Sequence, residues 1–437
     1  MTIHHDLIHR LIPLYSPKCI LTQPYQRTKS DIVFIDLSQK LRGFIFPLNY
    51  SDSTVKYQMT GIEYLMKLYQ LIAAQSEGVK RTYFLIDFKQ YVPKEKQQTW
   101  DERKERSSVK PYPKTFLFND NEMINVERLS ASGEILRKAL YQYILQHPPT
   151  ELTTDVILDI DPQNGPLCYP SGTQRKEWSA WNQRAPGQES QASGLTLLGE
   201  PDVRQFYHMK RYPRGRFVSV SEDGDQFPTT LGFLMKCAAN DTMPESFIWE
   251  RPGKGGKPTM YYNMLQLYYD LVKVKPIHIW IFICINCGTD FLKKNLITDG
   301  FGMEVIARAV LTGWHEIQFP RNSNWIDSFL RYLWWTKSKK GPLYFPKTYK
   351  QLQTFKWQYF KNKQLPTDED KDLAKQRVLM NWNYWTDEPL PVPPQPEEQR
   401  LEPEPEPESP DRLVILFNEW KLANEAYSLS SSNHFSA

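Results

Sequence analysis

The stretch Phe217–Phe227, FVSVSEDGDQF, decides how the chain is read. An apolar, β-branched run passes directly into Glu222, Asp223, Gly224 and Asp225, the pattern of a buried parallel strand whose carboxyl end opens into an acidic loop. Carboxylates packed together repel one another unless protons or a cation neutralise them. Hard divalent cations such as Mg²⁺ are the usual partners of oxygen-only ligand sets.

The same device recurs on either side. DIVFID ends in Asp36, TYFLID in Asp87 and HIWIFICINCGTD in Asp290, so four apolar segments, each read as a strand, deliver an acid at the carboxyl end. Any one of these acids could simply begin a turn. Four together predict an α/β fold with a central, mostly parallel sheet, helices on both faces, and a site along the edge where the carboxyl ends gather.

At 437 residues the chain is long enough for a large core, and its net charge of +4 averages a basic body against an acidic tail. The five cysteines form no disulfide or zinc framework, which suits a reducing compartment, and Cys284 with Cys287 read as buried thiols ahead of metal ligands or a redox pair. Met1 to Leu14 carries too many polar residues for a signal peptide, and the apolar run Ile277–Ile285 is too short to span a bilayer. A soluble, intracellular protein without a membrane partner is expected.

From Asp31, a strand, the helical pattern Gly61–Ala74 and the strand ending in Asp87 predict a right-handed βαβ unit. Beyond Asp87, residues 89–114 supply Lys89, Lys94, Lys96, Arg103, Lys104, Arg106, Lys110 and Lys114. A basic segment beside an acidic edge suits a phosphodiester held over cations. The interleaved Glu95, Asp101, Glu102 and Glu105 equally suit a solvated, salt-bridged helix. A helix is expected over Met123–Gln146 and a strand over Asp155–Ile160, where Asp159 and Asp161 are rival site acids. Residues 162–198 read as a polar surface insertion. At Glu200-Pro201-Asp202, Pro201 suits the first turn of a helix through Phe206 and Met209, and two acids at a helix start are also favoured by the helix dipole alone. Further helices are expected at Thr230–Ala239, Tyr261–Lys273 and Met303–Leu311. RPGKGGK at 251–257 is a basic loop without P-loop spacing. Gly300 and Gly302, just before the last of these helices, offer a phosphate seat or a plain packing corner.

In this order the residues resemble the PIN-like 5′-nuclease superfamily, which includes flap endonucleases, the XPG nucleases and the Xrn-type 5′-3′ exonucleases. SEDGD at 221–225 resembles the TEDxD motif and GEPD at 199–202 the paired acids of GExE. CGTDF at 287–291 resembles the GNDF or GxDY signature. ITDGFGMEVIARA at 297–309 resembles the helix-hairpin-helix-type element, and DFKQYVPK at 87–94 the entry to the helical arch. The likeness covers about residues 1–311. It implies a metal-dependent structure-specific 5′ nuclease, cleaving DNA in replication or repair by a two-metal mechanism with ions about 4 Å apart. Asp36, Asp87, Glu200, Asp202, Asp223, Asp225 and Asp290 would hold two Mg²⁺, or Mn²⁺ in its place, directly or through water. Lys94 would clamp the scissile phosphate with Arg103 or Arg106. Lys89, Lys96, Lys104, Gly300 and Gly302 would contact nucleic acid, with K⁺ at the helix-hairpin-helix-type element. It also places the protein in the nucleus if the host is eukaryotic or the chain viral.

The chain departs from the family in three places: Thr2 replaces the usual glycine, Asp202 is one methylene shorter than the usual Glu, and the arch arginines are shifted by a residue or two. Two alternatives stand beside the DNA nuclease: an inactive, nuclease-derived binding or scaffold protein, and an RNA-directed Xrn-like exonuclease. The core is expected over 1–311, with the arch at about 89–147 and the helix-hairpin-helix-type element at about 290–311. An aromatic and basic subdomain follows at 312–386. Its aromatics either stack bases or pack on the core with lysines outward. A disordered Pro/Glu-rich linker at 387–411 then leads to a short helix at 412–437 that would bind an unknown protein partner.

Overall fold

The computed structural model describes residues 12–43, 58–88, 97, 101–102, 109–149, 152, 154–161, 166–169, 199–253, 257–288, 297–298, 301–338, 345–353 and 365–386. The chain is α/β. Its first strand, β1 (Asp31–Asp36), is followed by α1 (Leu37–Gly43), the short β2 (Gln58–Thr60), α2 (Gly61–Ser76) and β3 (Arg81–Leu85). Next come β4 (Met123–Asn125), α3 (Val126–Ala131), α4 (Glu134–Gln146), β5 (Asp155–Asp159) and β6 (Leu167–Tyr169). The second half runs α5 (Pro201–Met209), β7 (Arg216–Val220), α6 (Gln226–Ala239), β8 (Ser246–Arg251), β9 (Met260–Asn263) and α7 (Met264–Val274). It continues with α8 (Ile277–Asn286), α9 (Met303–Ile317), α10 (Trp325–Ser338), α11 (Tyr349–Gln353) and α12 (Asp368–Trp385).

The main sheet has the order β6-β5-β3-β1-β7-β8-β9. β5, β3, β1, β7 and β8 are parallel, and β6 and β9 close the edges in antiparallel pairing. Period-two alternation sorts the strand residues onto two faces. Val33, Ile35, Phe84, Val156, Leu158 and Val218 pack with α1 to α4, whereas Ile32, Phe34, Tyr83, Ile157 and Phe217 pack with the later helices. Burial on both faces explains why the strands read as continuous apolar runs.

Local chemistry sets the boundaries. Thr60 caps α2 reciprocally with Glu63: the Glu63 amide donates to Thr60 Oγ1 at 3.2 Å, and the Thr60 amide donates to Glu63 Oε2 at 2.7 Å. Such a capping box is worth about 1 kcal/mol. Asn125 caps α3 and Asn263 caps α7 in one direction only, each side-chain oxygen accepting from the amide of Arg128 or Gln266.

Three expectations are corrected. The run Ile277–Asn286 is not a strand but helix α8, buried on every side and packed against α6, α9 and α12. A short run that is apolar all round carries no period by which to tell a buried strand from a buried helix. The helix expected over Met123–Gln146 is instead β4, α3 and α4, broken at Gly133, whose φ of +51° lies in the left-handed region. The helix expected from Tyr261 begins at Met264, because β9 occupies Met260–Asn263. The strand β8 was not anticipated at all.

Trp325, Phe329, Trp334 and Trp385 belong to the same core as the later helices and that sheet face. The buried Trp334 and Trp385 are therefore unavailable for stacking bases. Lys371 pairs with Asp327 at 3.1 Å and Asp368 at 2.7 Å. No helix among the described residues is long and apolar enough to cross a membrane.

Candidate functional site: an acidic edge at the switch point

The chain builds the sheet outward from β1 to β3 and β5, then returns to add β7 and β8 on the other side. The order therefore reverses between β1 and β7, and the crevice at the carboxyl ends of those strands is where open α/β sheets place ligands. Asp36 is the last residue of β1. In alternation it follows Ile32 and Phe34 onto the face covered by α5 and α6. Asp223 and Asp225 follow β7, and Glu200 with Asp202 stand at the first turn of α5, which packs on β1, β3 and α6.

These acids act on one another. The Asp202 carboxyl is held well above the usual carboxylate range, first by burial and then by the negative charges of Asp223, Asp36, Glu200 and Asp225. Asp202 is 8 % exposed and Asp225 7 %, whereas Asp223 faces solvent. Capping does not account for the placement. Glu200 and Asp225 occupy the N-cap positions of α5 and α6, yet neither side chain takes the cap hydrogen bond.

The loop after β7 is fixed by several hydrogen bonds. Ser221 Oγ donates to Asp202 Oδ1 at 3.1 Å and accepts from the Asp223 amide at 3.1 Å, while the Asp225 amide donates to Asp223 Oδ1 at 3.2 Å. Trp249 Nε1 donates to the Ser221 carbonyl at 3.0 Å, and the Ser221 amide to the Glu250 carbonyl at 3.2 Å. A buried amide ladder lies behind it: Gln205 Nε2 donates to the Asp202 carbonyl at 3.1 Å and to Gln226 Oε1 at 2.7 Å. Ser219 Oγ donates to Gln205 Oε1 at 2.7 Å.

Asp87 stands two residues beyond β3. Its amide donates to nothing in the sheet but to Ser38 Oγ at 3.0 Å, and its carbonyl accepts from Arg137 Nη1 at 2.7 Å. Of the rival acids, Asp159 is committed elsewhere. Arg204 Nε donates to its Oδ2 at 2.8 Å, and His208 Nε2 lies 3.1 Å from the same oxygen. Burial alone would raise Asp159, but the Arg204 charge and the His208 hydrogen bond outweigh it and bring it to about 2. Burial pushes His208 down despite Asp159, so the imidazole is neutral and donates through Nε2.

Helix α8 packs against α6, the helix that Asp225 opens. Burial first, then Cys287 and the Asp225 carboxylate, push the Cys284 thiol far up. All five cysteines are free thiols, and Cys284 and Cys287 are buried. Asp290, Lys89, Lys94, Lys96, Arg103, Lys104, Arg106 and Gly300 lie outside the described residues, as do most of the 162–198 insertion and residues 387–437. Gly302 is the N-cap of α9.

Ser38, Ser221, Arg137 and Arg204 were not legible as site residues, because each acts by bonding a backbone or acid far away in sequence. The one available hint was a charged residue inside the apolar pattern of α5, at Arg204.

Among the described residues, no three carboxylate, imidazole or thiol groups stand close enough together to enclose a metal ion directly. Oxygen donors that reach a cation partly through water suit Mg²⁺, which keeps several waters and takes one or two carboxylates directly. Compared with protein-family models and with the sequences of curated proteins, the chain matches none.

Proposed function

We propose that the protein is a divalent-metal-dependent 5′ nuclease of the PIN-like type, hydrolysing phosphodiester bonds at the acidic edge between β1 and β7. The observation that carries this reading is the convergence of Asp36, Glu200, Asp223 and Asp225 on the buried Asp202 at the topological switch point. Such a concentration of acids destabilises a fold unless protons or a cation neutralise it, and a bound cation does so without giving up the carboxylates as ligands. Asp36, Asp87, Glu200, Asp202, Asp223 and Asp225, with Asp290, would hold two Mg²⁺ ions. When bound, the ions supply a nucleophilic water at neutral pH and a counter-charge for the leaving oxygen. The chain's own part is positional: Ser221 orients Asp202, the amide ladder fixes the first turn of α5, and Arg137 holds the backbone of Asp87. Lys94, with Arg103 or Arg106, would clamp the scissile phosphate.

The test is cleavage of end-labelled 5′-flap, blunt-duplex and single-stranded DNA and of 5′-phosphorylated RNA, with Mg²⁺ or Mn²⁺, by the wild type and Asp225→Ala. The wild type is expected to cut only with metal, and the variant to lose at least about 100-fold in rate, the order removed when a group acting only in the transition state is lost. DNA preference supports a role in replication or repair, and RNA preference an Xrn-like one. Equal binding without cleavage by both proteins overturns the nuclease in favour of a nucleic-acid-binding scaffold.

A further inference from the structure

Arg204 is 0 % exposed and sits among three acid-bearing segments. Its Nη2 donates to the Ile86 carbonyl at 2.5 Å, the residue before Asp87, and its Nη1 to the Gly199 carbonyl at 3.2 Å, the residue before Glu200. Its Nε binds Asp159 at the end of β5 at 2.8 Å. The guanidinium lies 3.8 Å from the centre of the Phe88 ring, and the Phe88 amide itself donates to the Gly199 carbonyl at 2.6 Å. One rigid, planar group thus spans the residue preceding Asp87 and the residue preceding Glu200, two positions beyond Asp202 on its own helix. We infer that Arg204 is a positioning residue, which sets the spacing between Asp87 and the Glu200–Asp202 pair and so the capacity of the edge to take up divalent cations.

The ion pair's cost in the fold supports this. A buried Arg–carboxylate pair adds little net stability over apolar residues of similar volume, because desolvation offsets its attraction. What apolar residues cannot reproduce is a fork of donors at fixed angles, and lysine, a point charge on a flexible stem, cannot reach all three acceptors at once. The inference rests on the metal-dependent reading above.

The experiment measures Mn²⁺ binding to the full chain by electron paramagnetic resonance, with no nucleic acid and no turnover. It compares the wild type with Arg204→Lys and with Arg204→Met combined with Asp159→Asn. The double variant removes both charges together, leaving net charge unchanged and an acceptor for His208. Arg204→Lys keeps the buried carboxylate paired, so a folded protein is available from either route. Both are expected to unfold cooperatively yet bind Mn²⁺ about 10- to 100-fold more weakly, the loss that follows removal of groups orienting metal ligands. Wild-type Mn²⁺ affinity and stoichiometry in either folded variant overturns the inference while leaving the metal reading intact. Absence of Mn²⁺ binding by the wild type overturns both.

Discussion

At the scale of single residues, Asp202 and Asp159 show how position decides what a carboxylate does. Both are buried. Asp202 stands among other acids and is pushed up; Asp159 faces Arg204 and His208 and is brought down. A folded-state pKa raised above the unfolded value means that stability is fully present below about pH 3.9, the ordinary Asp value, and is lost as pH rises through the folded value. Asp202→Asn is therefore expected to stabilise the metal-free protein at pH 8 by about 0.5–2 kcal/mol, the usual gain when a functional position is relieved. The advantage should vanish near pH 4. Urea unfolding with a chelator present measures it, and an advantage that stays flat from pH 4 to 8 contradicts a charge buried there. Asp159 has the opposite sign: its contribution is complete above about pH 3.9 and disappears as pH falls toward about 2. Asp159→Ala leaves the Arg204 guanidinium buried without its counter-charge and should cost about 3–5 kcal/mol. A loss below about 1 kcal/mol at pH 7 would show that water reaches Arg204.

At the scale of elements, α5 and α8 carry the instructive contrast. Pro201 and the apolar spacing that follows mark α5 in the sequence, and the helix is found there. Ile277–Asn286 carries β-branched residues throughout, which favour a strand, and yet it is a helix. The sheet already ends at β9, and a helix satisfies its own backbone hydrogen bonds wherever it is buried. Helix α9, which packs near it, meets α10 through a close approach: a Cβ on Gly313 would collide with the Tyr332 ring. Gly313→Leu is expected to destabilise the protein by about 1–3 kcal/mol through overpacking. A thermal midpoint equal to that of the wild type would mean that the two helices part without cost.

On the scale of the whole molecule, strands, helices and loops far apart in sequence meet at one edge, so occupancy of that edge couples to global stability. A cation that binds the folded chain alone stabilises it by about 2.7 kcal/mol at a hundred times its dissociation constant. Millimolar Mn²⁺ should therefore raise the unfolding midpoint of the wild type, and chelation should reverse the rise. Asp225→Ala should respond far less, as followed by calorimetry. Equal shifts in both proteins would place the bound ion elsewhere.

Periodicity, β-branching and Pro at a helix start act over a few residues, so the parallel strands β1, β3, β5 and β7, their burial on both faces and the acids that follow them can be read directly from the chain. FVSVSEDGDQF and DIVFID were legible for that reason. That Ile277–Asn286 is helical, that β7 returns beside β1 to make the switch point, and that Asp159 pairs with Arg204 while Asp202 is crowded by other acids emerges only in the folded chain. Those outcomes depend on which segments become neighbours in space, and neighbours brought together across 45 residues, as Asp159 and Arg204 are, leave no periodic trace in the chain.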